Sequence, residues 1–307
     1  MDALNLGETL VFEDWRFDRQ TRRLFSQTTA GVWTPVSLGS RALDILAVLL
    51  QQPGKLVSKD AITFLERSLA LNPDNSPARA RNYRRLAAAY ARTGQMAEAR
   101  DALADADRLF PYDTVRSHWP SELGGTILSD PPSPVASEQV RRFQASLRLA
   151  GERDDADEDA DFGVPPDAVL HDTFVGRTPI SATGARTIRT ADLPAFLARS
   201  QPVVLDTGSY SWGRSIPGAI GLLNAGVGGS FTDSAQDRLR RKMQELTKGD
   251  LATPIVTVGW NSERFDGRNL VLRLVALGYT QVTWYRGGRE AWEAANLPET
   301  DLLLQQW

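Results

Sequence analysis

Strands that alternate with helices constrain the fold of the C-terminal third of this 307-residue chain. The apolar runs VVLD (203–206), PIVTV (254–258) and QVTWY (281–285) are each followed by a stretch with helical spacing that ends at glycine or proline. Short continuous apolar runs are typical of strands covered on both faces, and their alternation with helices favours a parallel sheet. The pattern predicts a small α/β domain over residues 201–307.

Residues 1–60 follow a different pattern, in which strands come before helices. Aromatic and β-branched residues alternate with turn formers over residues 10–38, which predicts short antiparallel strands. Ser40 is predicted to cap a helix that ends at Pro53-Gly54, and Ser58 is predicted to cap the next helix.

Residues 61–113 are rich in alanine, arginine and leucine, and we predict that they are helical. A helix over AITFLERSLALNP is followed by a helical hairpin that turns at Thr93-Gly94 and ends before Pro111. Four arginines near the start of this hairpin are predicted to form a solvated basic face: Arg79, Arg81, Arg84 and Arg85.

Residues 114–200 are predicted to be a linker that contains one short helix. Proline and serine are concentrated at 129–138, an amphipathic stretch follows, and the acidic run GERDDADEDAD occupies 151–161. We predict that this run is solvated, because the D-x-D-x-D-G pattern and distal glutamate of a calcium loop are absent.

Composition excludes several kinds of site. The chain has no cysteine, which removes disulfides, thiolate zinc sites and thiolate catalysis. The two histidines, His118 and His171, have no metal-ligand spacing around them, so we predict neither a metal nor a cofactor. The net charge is −3 and no segment is strongly basic, so charge gives no indication of nucleic-acid binding.

The sequence also gives an expectation for localisation. No apolar run approaches the ~18 residues that span a bilayer. The N-terminus lacks the basic, apolar and small-residue order of a signal peptide. We therefore expect a cytoplasmic protein that does not contact a membrane.

The C-terminal region resembles the rhodanese family. The resemblance rests on VVLD (203–206), SIPGAI (215–220), PIVTV with its following loop (254–264) and LVALGYTQVTWYRGGREAWEAANLPE (274–299). In that family, the loop after the central strand begins with a cysteine that takes up sulfane sulfur as a persulfide. The resemblance implies that loop N–H groups and a helix N-terminus stabilise the resulting anion, often with an arginine five residues after the cysteine.

This loop has no nucleophile at the expected place. One alignment puts Gly259 at the cysteine position with Arg264 as the arginine, and another puts Trp260 nearest the nucleophile with Arg268 closing the loop. Ser262 is a poor substitute, because it needs a base and only Asp206 or Glu263 is a candidate.

We therefore predict no catalytic residue in this domain. Two roles stay open for the loop, which are packing around Trp260 and anion binding by its amides with two arginines. The candidate residues for anion binding are Gly259, Trp260, Asn261, Ser262, Arg264 and Arg268.

Residues 80–113 resemble a tetratricopeptide repeat. The positions that carry the resemblance are Tyr83, Leu86, Tyr90, Gly94, Ala99, Leu103, Ala106 and Pro111. Residues of this kind let two helices approach and fill the space between them, and the resemblance implies a protein partner for the repeat helices. One and a half repeats fall short of the ~3 that an independent array needs, so a plain helical spacer is the alternative.

Residues 10–62 resemble the first half of an OmpR-type winged-helix DNA-binding domain. The recognition helix and the wing that should follow are missing, because the chain passes into the repeat-like helix at about Ala61. Base-edge contacts in the major groove come from the recognition helix. The resemblance therefore implies only phosphate contacts here, from Arg41, Lys55 and Lys59.

The order of these parts is similar to that of bacterial multidomain transcriptional regulators. We thus expect a multidomain α/β protein with a truncated winged-helix segment (1–60), tetratricopeptide-like helices (61–113), a linker (114–200) and a rhodanese-like domain (201–307). The expected function is transcription regulation and signal transduction, with weak DNA binding and a catalytically inert domain that binds or senses an anionic small ligand. The alternatives are a protein-interaction scaffold without a DNA role and a sulfurtransferase, against which the absent cysteine counts.

Overall fold

The computed structural model divides into two compact units, Met1–Leu109 and Phe110–Trp307. The residues that it describes are 4–6, 9–12, 15–18, 21, 23–27, 32–36, 58–71, 76–117, 134–208 and 214–307.

An antiparallel sheet opens the first unit. Its five strands lie side by side in sequence order: β1 (Leu4–Leu6), β2 (Thr9–Phe12), β3 (Trp15–Asp18), β4 (Arg23–Gln27) and β5 (Trp33–Val36). The Arg16 guanidinium lies 4.5 Å from the centre of the Phe25 ring on the neighbouring strand, so the sheet is held partly by a cation–π contact. The prediction of short antiparallel strands is confirmed, whereas the helix predicted from Ser40 lies outside the described residues.

Three helices complete the described part of this unit: α1 (Ser58–Leu71), α2 (Ser76–Arg92) and α3 (Met96–Leu109). Helix α1 is continuous through Ala61, the position where two sequence resemblances meet. The predicted turn at Thr93-Gly94 joins α2 to α3, and small residues such as Ala80, Ala99 and Ala106 are fully buried where the two helices pack. The predicted helical hairpin is confirmed. Its two helices pack closely because the side chains between them are small.

The basic face predicted on α2 needs a correction. Arg84 is 0% exposed, and its Nη2 donates to Asp107 Oδ1 of α3 at 2.6 Å. A buried guanidinium needs such a partner because leaving it unpaired costs several kcal/mol, of the order of 3–5. Arg81 does lie on the exposed side of α2, so only part of the cluster is solvated.

The second unit begins with segments that precede its sheet. A 3₁₀ turn spans Val115–Ser117, and helix α4 spans Pro134–Ala150. Helix α4 therefore includes the end of the proline- and serine-rich stretch that was predicted to be a linker. None of the helices in the described ranges is both long and apolar enough to cross a bilayer.

A six-stranded parallel sheet forms the centre of the second unit. Its order is β13-β9-β7-β10-β11-β6, and every pairing within it is parallel. The strands of the unit are β6 (Arg186–Ile188), β7 (Val203–Asp206), β8 (Arg214–Ser215), β9 (Ile220–Gly221), β10 (Ile255–Val258), β11 (Val282–Tyr285), β12 (Thr300–Asp301) and β13 (Leu303–Leu304). The remaining two strands, β8 and β12, form a separate antiparallel pair.

Helices bury both faces of this sheet. They are α5 (Leu193–Ser200), α6 (Ser234–Thr247), α7 (Phe265–Ala276) and α8 (Gly288–Ala294). One core contains Leu239, Leu270 and Trp284, and the other contains Leu193 and Trp292. The predicted mainly parallel α/β arrangement is confirmed.

The sheet extends beyond the predicted boundary at residue 201. Strand β6 pairs with β11 in register Thr187 to Trp284, although residues 186–188 were assigned to the linker. Strand β6 is only three residues long and has no long apolar run, so its place in the sheet depends on the edge of β11 rather than on a local pattern.

Replacement of Arg84 tests the corrected role of the α2 arginines. We expect Arg84→Ala to lower the free energy of unfolding by about 2–3 kcal/mol, because a fully buried side chain and its ion pair are lost together. Arg81→Ala is the matched control, and we expect it to change stability by less than about 0.5 kcal/mol. Urea unfolding followed by helical circular dichroism measures both, and equal effects would show that Arg84 is not buried.

Candidate functional site

The loop of interest lies at the carboxyl end of the central strand β10. Residues 259–264 connect β10 to α7, and β10 is paired on both sides, with β7 and β11. All four residues of β10 are buried, so the start of the loop is held in place by the sheet. Ligands of open parallel sheets bind at this edge, beyond the carboxyl ends of the strands.

Gly259 permits a very close approach between the end of β10 and the start of α7. A Cβ atom on residue 259 would lie 2.7 Å from Asp266 Oδ1 and 2.8 Å from the Gly267 nitrogen. A Cβ atom on Gly267 would in turn lie 2.9 Å from the Gly259 nitrogen. The space that a cysteine side chain would need is therefore filled by the first turn of the helix.

A carboxylate of the chain itself lies at the N-terminus of α7. Asp266 is 1% exposed, and its oxygens accept hydrogen bonds from Thr207 Oγ1 and from the Gly267 nitrogen, each at 2.9 Å. A helix N-terminus favours negative charge through its free N–H groups and its dipole. Asp266 thus places an acidic side chain of the chain itself at this helix N-terminus.

A second buried carboxylate lies at the end of β7. Asp206 is fully buried and accepts hydrogen bonds from Ser215 Oγ at 2.6 Å and from the Gly208 nitrogen at 2.9 Å. The Arg289 Nε lies 3.2 Å from its Oδ2. Burial raises the pKa of Asp206, and the charge of Arg289 acts in the opposite direction.

Trp260 packs in the interior. Packing around this residue was one of the two roles that the sequence left open for the loop. Its side chain is 2% exposed, and the Arg289 guanidinium lies 5.6 Å from the ring centre. The carbonyl oxygens of Gly259 and Trp260 accept hydrogen bonds from the nitrogens of Arg289 and Glu290, each at 3.0 Å. Gly288 makes this approach possible, because it has φ +63° and a Cβ there would lie 2.5 Å from the Trp260 oxygen.

Ser262 has no base beside it. Its Oγ donates to the Asp157 carbonyl oxygen at 2.8 Å, and a carbonyl cannot take up the proton. Glu263 forms an ion pair with Arg153, and Asp206 is bound elsewhere. The serine therefore lacks the arrangement of an activated nucleophile.

A segment that we call the strap, residues 153–178, covers the loop. Its Phe174 oxygen accepts from the Phe265 nitrogen at 2.9 Å, and its Gly176 nitrogen donates to the Glu263 oxygen at 2.9 Å. Thr178 Oγ1 donates to the Ser262 oxygen at 2.5 Å. The acidic run 151–161, which was predicted to be solvated, is only partly so, because Ala156 is 1% exposed and its nitrogen donates to the Glu290 carboxylate.

Two buried arginines bind the strap. Arg268 is 0% exposed and donates to the Asp167 carboxylate at 2.5 Å and to the carbonyl oxygens of Asp167 and Val169 at 2.7 and 3.0 Å. Arg286 donates to the carbonyl oxygens of Glu158 and Ala160 at 2.6 and 2.9 Å. Both guanidinium groups therefore bind the chain's own oxygens.

The predicted anion cradle stays a prediction, and its groups already have partners within the chain. Arg268 binds Asp167, and the nitrogens of Glu263, Arg264 and Phe265 donate to oxygens of the chain. A free anion at Arg268 would have to displace a carboxylate that is already there. Burial acts to raise the pKa of Asp167, but the Val169 N–H and the Arg268 guanidinium together lower it.

Glu290 joins three segments of the second unit. Its carboxylate accepts from Thr114 Oγ1, from the Ala156 nitrogen at 2.9 Å and from Asn261 Nδ2 at 2.9 Å. The side chain is 0% exposed, and burial raises its pKa, although all three hydrogen bonds act to lower it. Asn261 is thus part of the internal packing of the loop.

The three residues predicted to contact DNA phosphates belong to the N-terminal part of the chain. Arg41 and Lys55 lie outside the described residues, and Lys59 belongs to α1 in the other unit. Across the described ranges, no group of three or more acidic, histidine or cysteine side chains is placed to hold a metal ion.

Comparison with known families agrees with this geometry. Residues 190–295 match the family described as "Rhodanese-like domain". These residues form a rhodanese-like domain. The match begins close to α5 and ends just after α8, so it includes the filled loop but not the strap.

Comparisons with whole proteins give one weak structural similarity and no curated relative. No curated protein matches the chain. Among solved structures, the chain is similar to the "Crystal Structure of Thiosulfate sulfurtransferase from Pseudomonas aeruginosa", with 19% sequence identity and a TM-score of 0.32. That similarity covers 57% of this chain and 32% of the other, so the chain spans about a third of that structure's length.

Sequence reasoning missed the residues that connect the loop to the strap. Arg286 and Glu290 lie in a stretch that was used only to identify the fold, and Arg153 lies in a run interpreted as solvent-exposed. The available signal was charge, because the acidic run at 151–161 complements the arginines of the C-terminal domain. Charge alone does not say which two segments meet.

Glu290→Gln tests the charge of the buried carboxyl. A glutamine can accept from Ala156 and Asn261 through its oxygen and donate from its nitrogen to Thr114 Oγ1, so the network is kept. Because the folded-state pKa of Glu290 is raised above its ordinary 4.5, the stability associated with its protonated form is lost as pH rises through that raised pKa. We therefore expect the Tm of the variant, relative to wild type, to be higher at pH 7 than at pH 4.5.

Glu290→Ala is the control for the hydrogen bonds. It removes both the charge and the acceptor atoms, so we expect a lower Tm than wild type at both pH values. If the difference in Tm between Glu290→Gln and the wild-type chain stays constant from pH 4.5 to pH 7, the raised pKa of Glu290 is contradicted.

Proposed function

We propose that this chain is a non-catalytic binding protein in which the rhodanese-like domain has lost sulfur chemistry. The observation that carries the proposal is the steric filling at Gly259, where a Cβ would lie 2.7 Å from the Asp266 carboxylate. Persulfide chemistry needs a thiol, and the chain has none. The proposed ligand class is anionic, and such a ligand would have to replace the Asp167 carboxylate at the Arg268 guanidinium.

Thiosulfate and cyanide test this proposal directly. We expect no thiocyanate formation above the uncatalysed rate from the wild-type chain. We also expect none from Gly259→Cys, because α7 must shift before a side chain fits at residue 259. Gly259→Cys should in addition lower the Tm by several degrees, as overpacking of a filled core does.

Two controls make the result decisive. An active thiosulfate sulfurtransferase assayed in parallel shows that the conditions support turnover, and Trp260→Cys tests the alternative alignment of the loop. Turnover by the wild-type chain would overturn the proposal. Turnover by Gly259→Cys would show that the place of the nucleophile is still open.

A second candidate function is transcription regulation in the cytoplasm through weak DNA binding by the N-terminal unit. The observation that favours it is the antiparallel sheet β1–β5, which precedes the helices as it does in the winged-helix resemblance. In this proposal Arg41, Lys55 and Lys59 contact phosphates, and the helices α1–α3 bind a protein partner. Such contacts position a protein on DNA without reading its sequence.

Fluorescence anisotropy with mixed-sequence duplex DNA separates this candidate from a scaffold without a DNA role. If the N-terminal unit docks on DNA, the whole chain should bind at physiological salt, and Arg41→Ala with Lys55→Ala should weaken binding. Phosphate contacts alone give binding that falls steeply between about 50 and 200 mM salt. Binding confined to low salt, or none, would leave the scaffold as the preferred interpretation.

A further inference from the structure

We propose that the arginine-lined face beneath the strap is a docking groove for an extended acidic segment of a partner protein. In this structure the strap occupies that groove as an intramolecular pseudoligand. This inference rests on the proposed non-catalytic binding role and gives that role a partner of defined chemistry. It concerns the face of the second unit formed by the 259–264 loop, α7 and the start of α8.

Charge complementarity between groove and strap is the first argument. Arg268 binds Asp167, Arg189 binds Asp159 at 2.8 Å, and Arg286 binds the backbone beside Glu158. Burial lowers the pKa of Arg286, and the carboxylates around the strap, those of Asp157, Asp159, Asp161 and Glu263, act in the opposite direction. The groove therefore binds acidic side chains of the strap at two points and a carbonyl oxygen at a third, while Arg153 of the strap pairs in the opposite sense with Glu263.

The second argument is that the strap is held as a bound peptide would be. Val175 pairs with Arg264 in an isolated antiparallel bridge. The Arg286 guanidinium donates hydrogen bonds to the carbonyl oxygens of Glu158 and Thr178, which lie in two parts of the strap. Domains that recognise extended peptides use main-chain hydrogen bonds for affinity and a few side-chain sites for selectivity. Contacts of this kind depend little on the apolar side chains of the bound segment.

The third argument is that the strap has little core of its own. It contains no helix and no strand, and among its apolar side chains only Ala156 and Leu170 are buried. Val169 is 60% exposed and Phe174 is 37% exposed. Segments with few buried apolar contacts open at lower free energy than core strands, so this segment is suited to displacement.

The intramolecular connection sets what a partner must overcome. A tethered segment acts at an effective concentration in the millimolar range, so a free peptide competes poorly with an intact strap. Weakening the strap while leaving the groove unchanged should therefore reveal the groove to a peptide in solution. The coupling between strap opening and peptide binding is reciprocal, because a peptide in the groove also favours the open strap.

The test uses the full chain and a fluorescent peptide with the sequence of residues 153–178. The strap variant carries Glu158→Gln, Asp159→Asn and Asp167→Asn, which remove carboxylates from the strap and leave every groove residue in place. We expect the strap variant to bind the peptide at least tenfold more tightly than the wild-type chain does. A control peptide whose aspartates and glutamates are replaced by asparagine and glutamine should bind at least tenfold more weakly.

A second variant shows that binding occurs in the groove. Adding Arg268→Gln to the strap variant should weaken peptide binding at least tenfold, because that guanidinium makes the ion pair with Asp167. Equal binding of the acidic and amide peptides, or no binding to a strap variant that keeps its near-UV circular dichroism, would overturn the proposal. Self-association of the strap variant that excludes the peptide would also overturn it, since the occupant would then be a second copy of the chain.

Hydrogen exchange of the wild-type chain keeps the proposal testable if the strap variant does not fold. The amides of Ala156 and Gly176 should exchange through a local opening that is at least tenfold more populated than the opening of β10. Exchange as slow as that of β10 would show that the strap is part of the core and would overturn the inference. The thiosulfate assay remains a separate readout, because it tests the non-catalytic role without any peptide.

Discussion

Burial of arginine in the sheet domain is the constraint on which the rest of the second unit depends. Arg268, Arg273 and Arg286 are each 3% exposed or less, and leaving one of them unpaired would cost several kcal/mol. Their partners are mainly backbone oxygens, at 158–169 for two of them and at 227–230 for Arg273, which also binds Asp233. That ion pair lowers the pKa of Asp233, and the same carboxylate caps α6. The partners at 158–169 lie outside the residues that match the family, so these arginines connect the matched region to the segment that precedes it.

The close packing around residue 259 follows from the same arrangement. Gly259, Gly267 and Gly288 let the end of β10, the first turn of α7 and the start of α8 approach within the space of a side chain. Buried carboxylates then take the positions at which an anion would be stabilised, with Asp266 at the start of α7 and Asp206 beside Arg289. A loop that handles a reactive sulfur must keep that space open, and this loop uses it for packing.

Sequence reasoning predicted the elements whose cause is local and failed where the cause is distant. The strands β7, β10 and β11 were predictable because runs such as VVLD and IVTV are short and mostly apolar. Strand β6 was missed because three residues are too few to show the alternation of apolar and polar side chains that indicates a strand. The arginine cluster on α2 was interpreted as solvated because nothing near Arg84 in sequence shows that Asp107 lies opposite it. The strap was missed for a related reason, since its contacts use carbonyl oxygens, which every residue has.

The sequence by itself determined the kind of domain and the kind of chemistry that is absent. Apolar runs and turn residues act over a few positions, so they indicate a parallel α/β domain, and the lack of cysteine removes thiolate chemistry. Only the tertiary structure decided that the space beside residue 259 is filled and that part of the acidic run lies over the loop. The filling depends on how closely a strand and the following helix pack at Gly259 and Gly267. The covering depends on residues about 100 positions apart, such as Asp157 and Ser262, and their meeting is a matter of tertiary packing that no local pattern encodes.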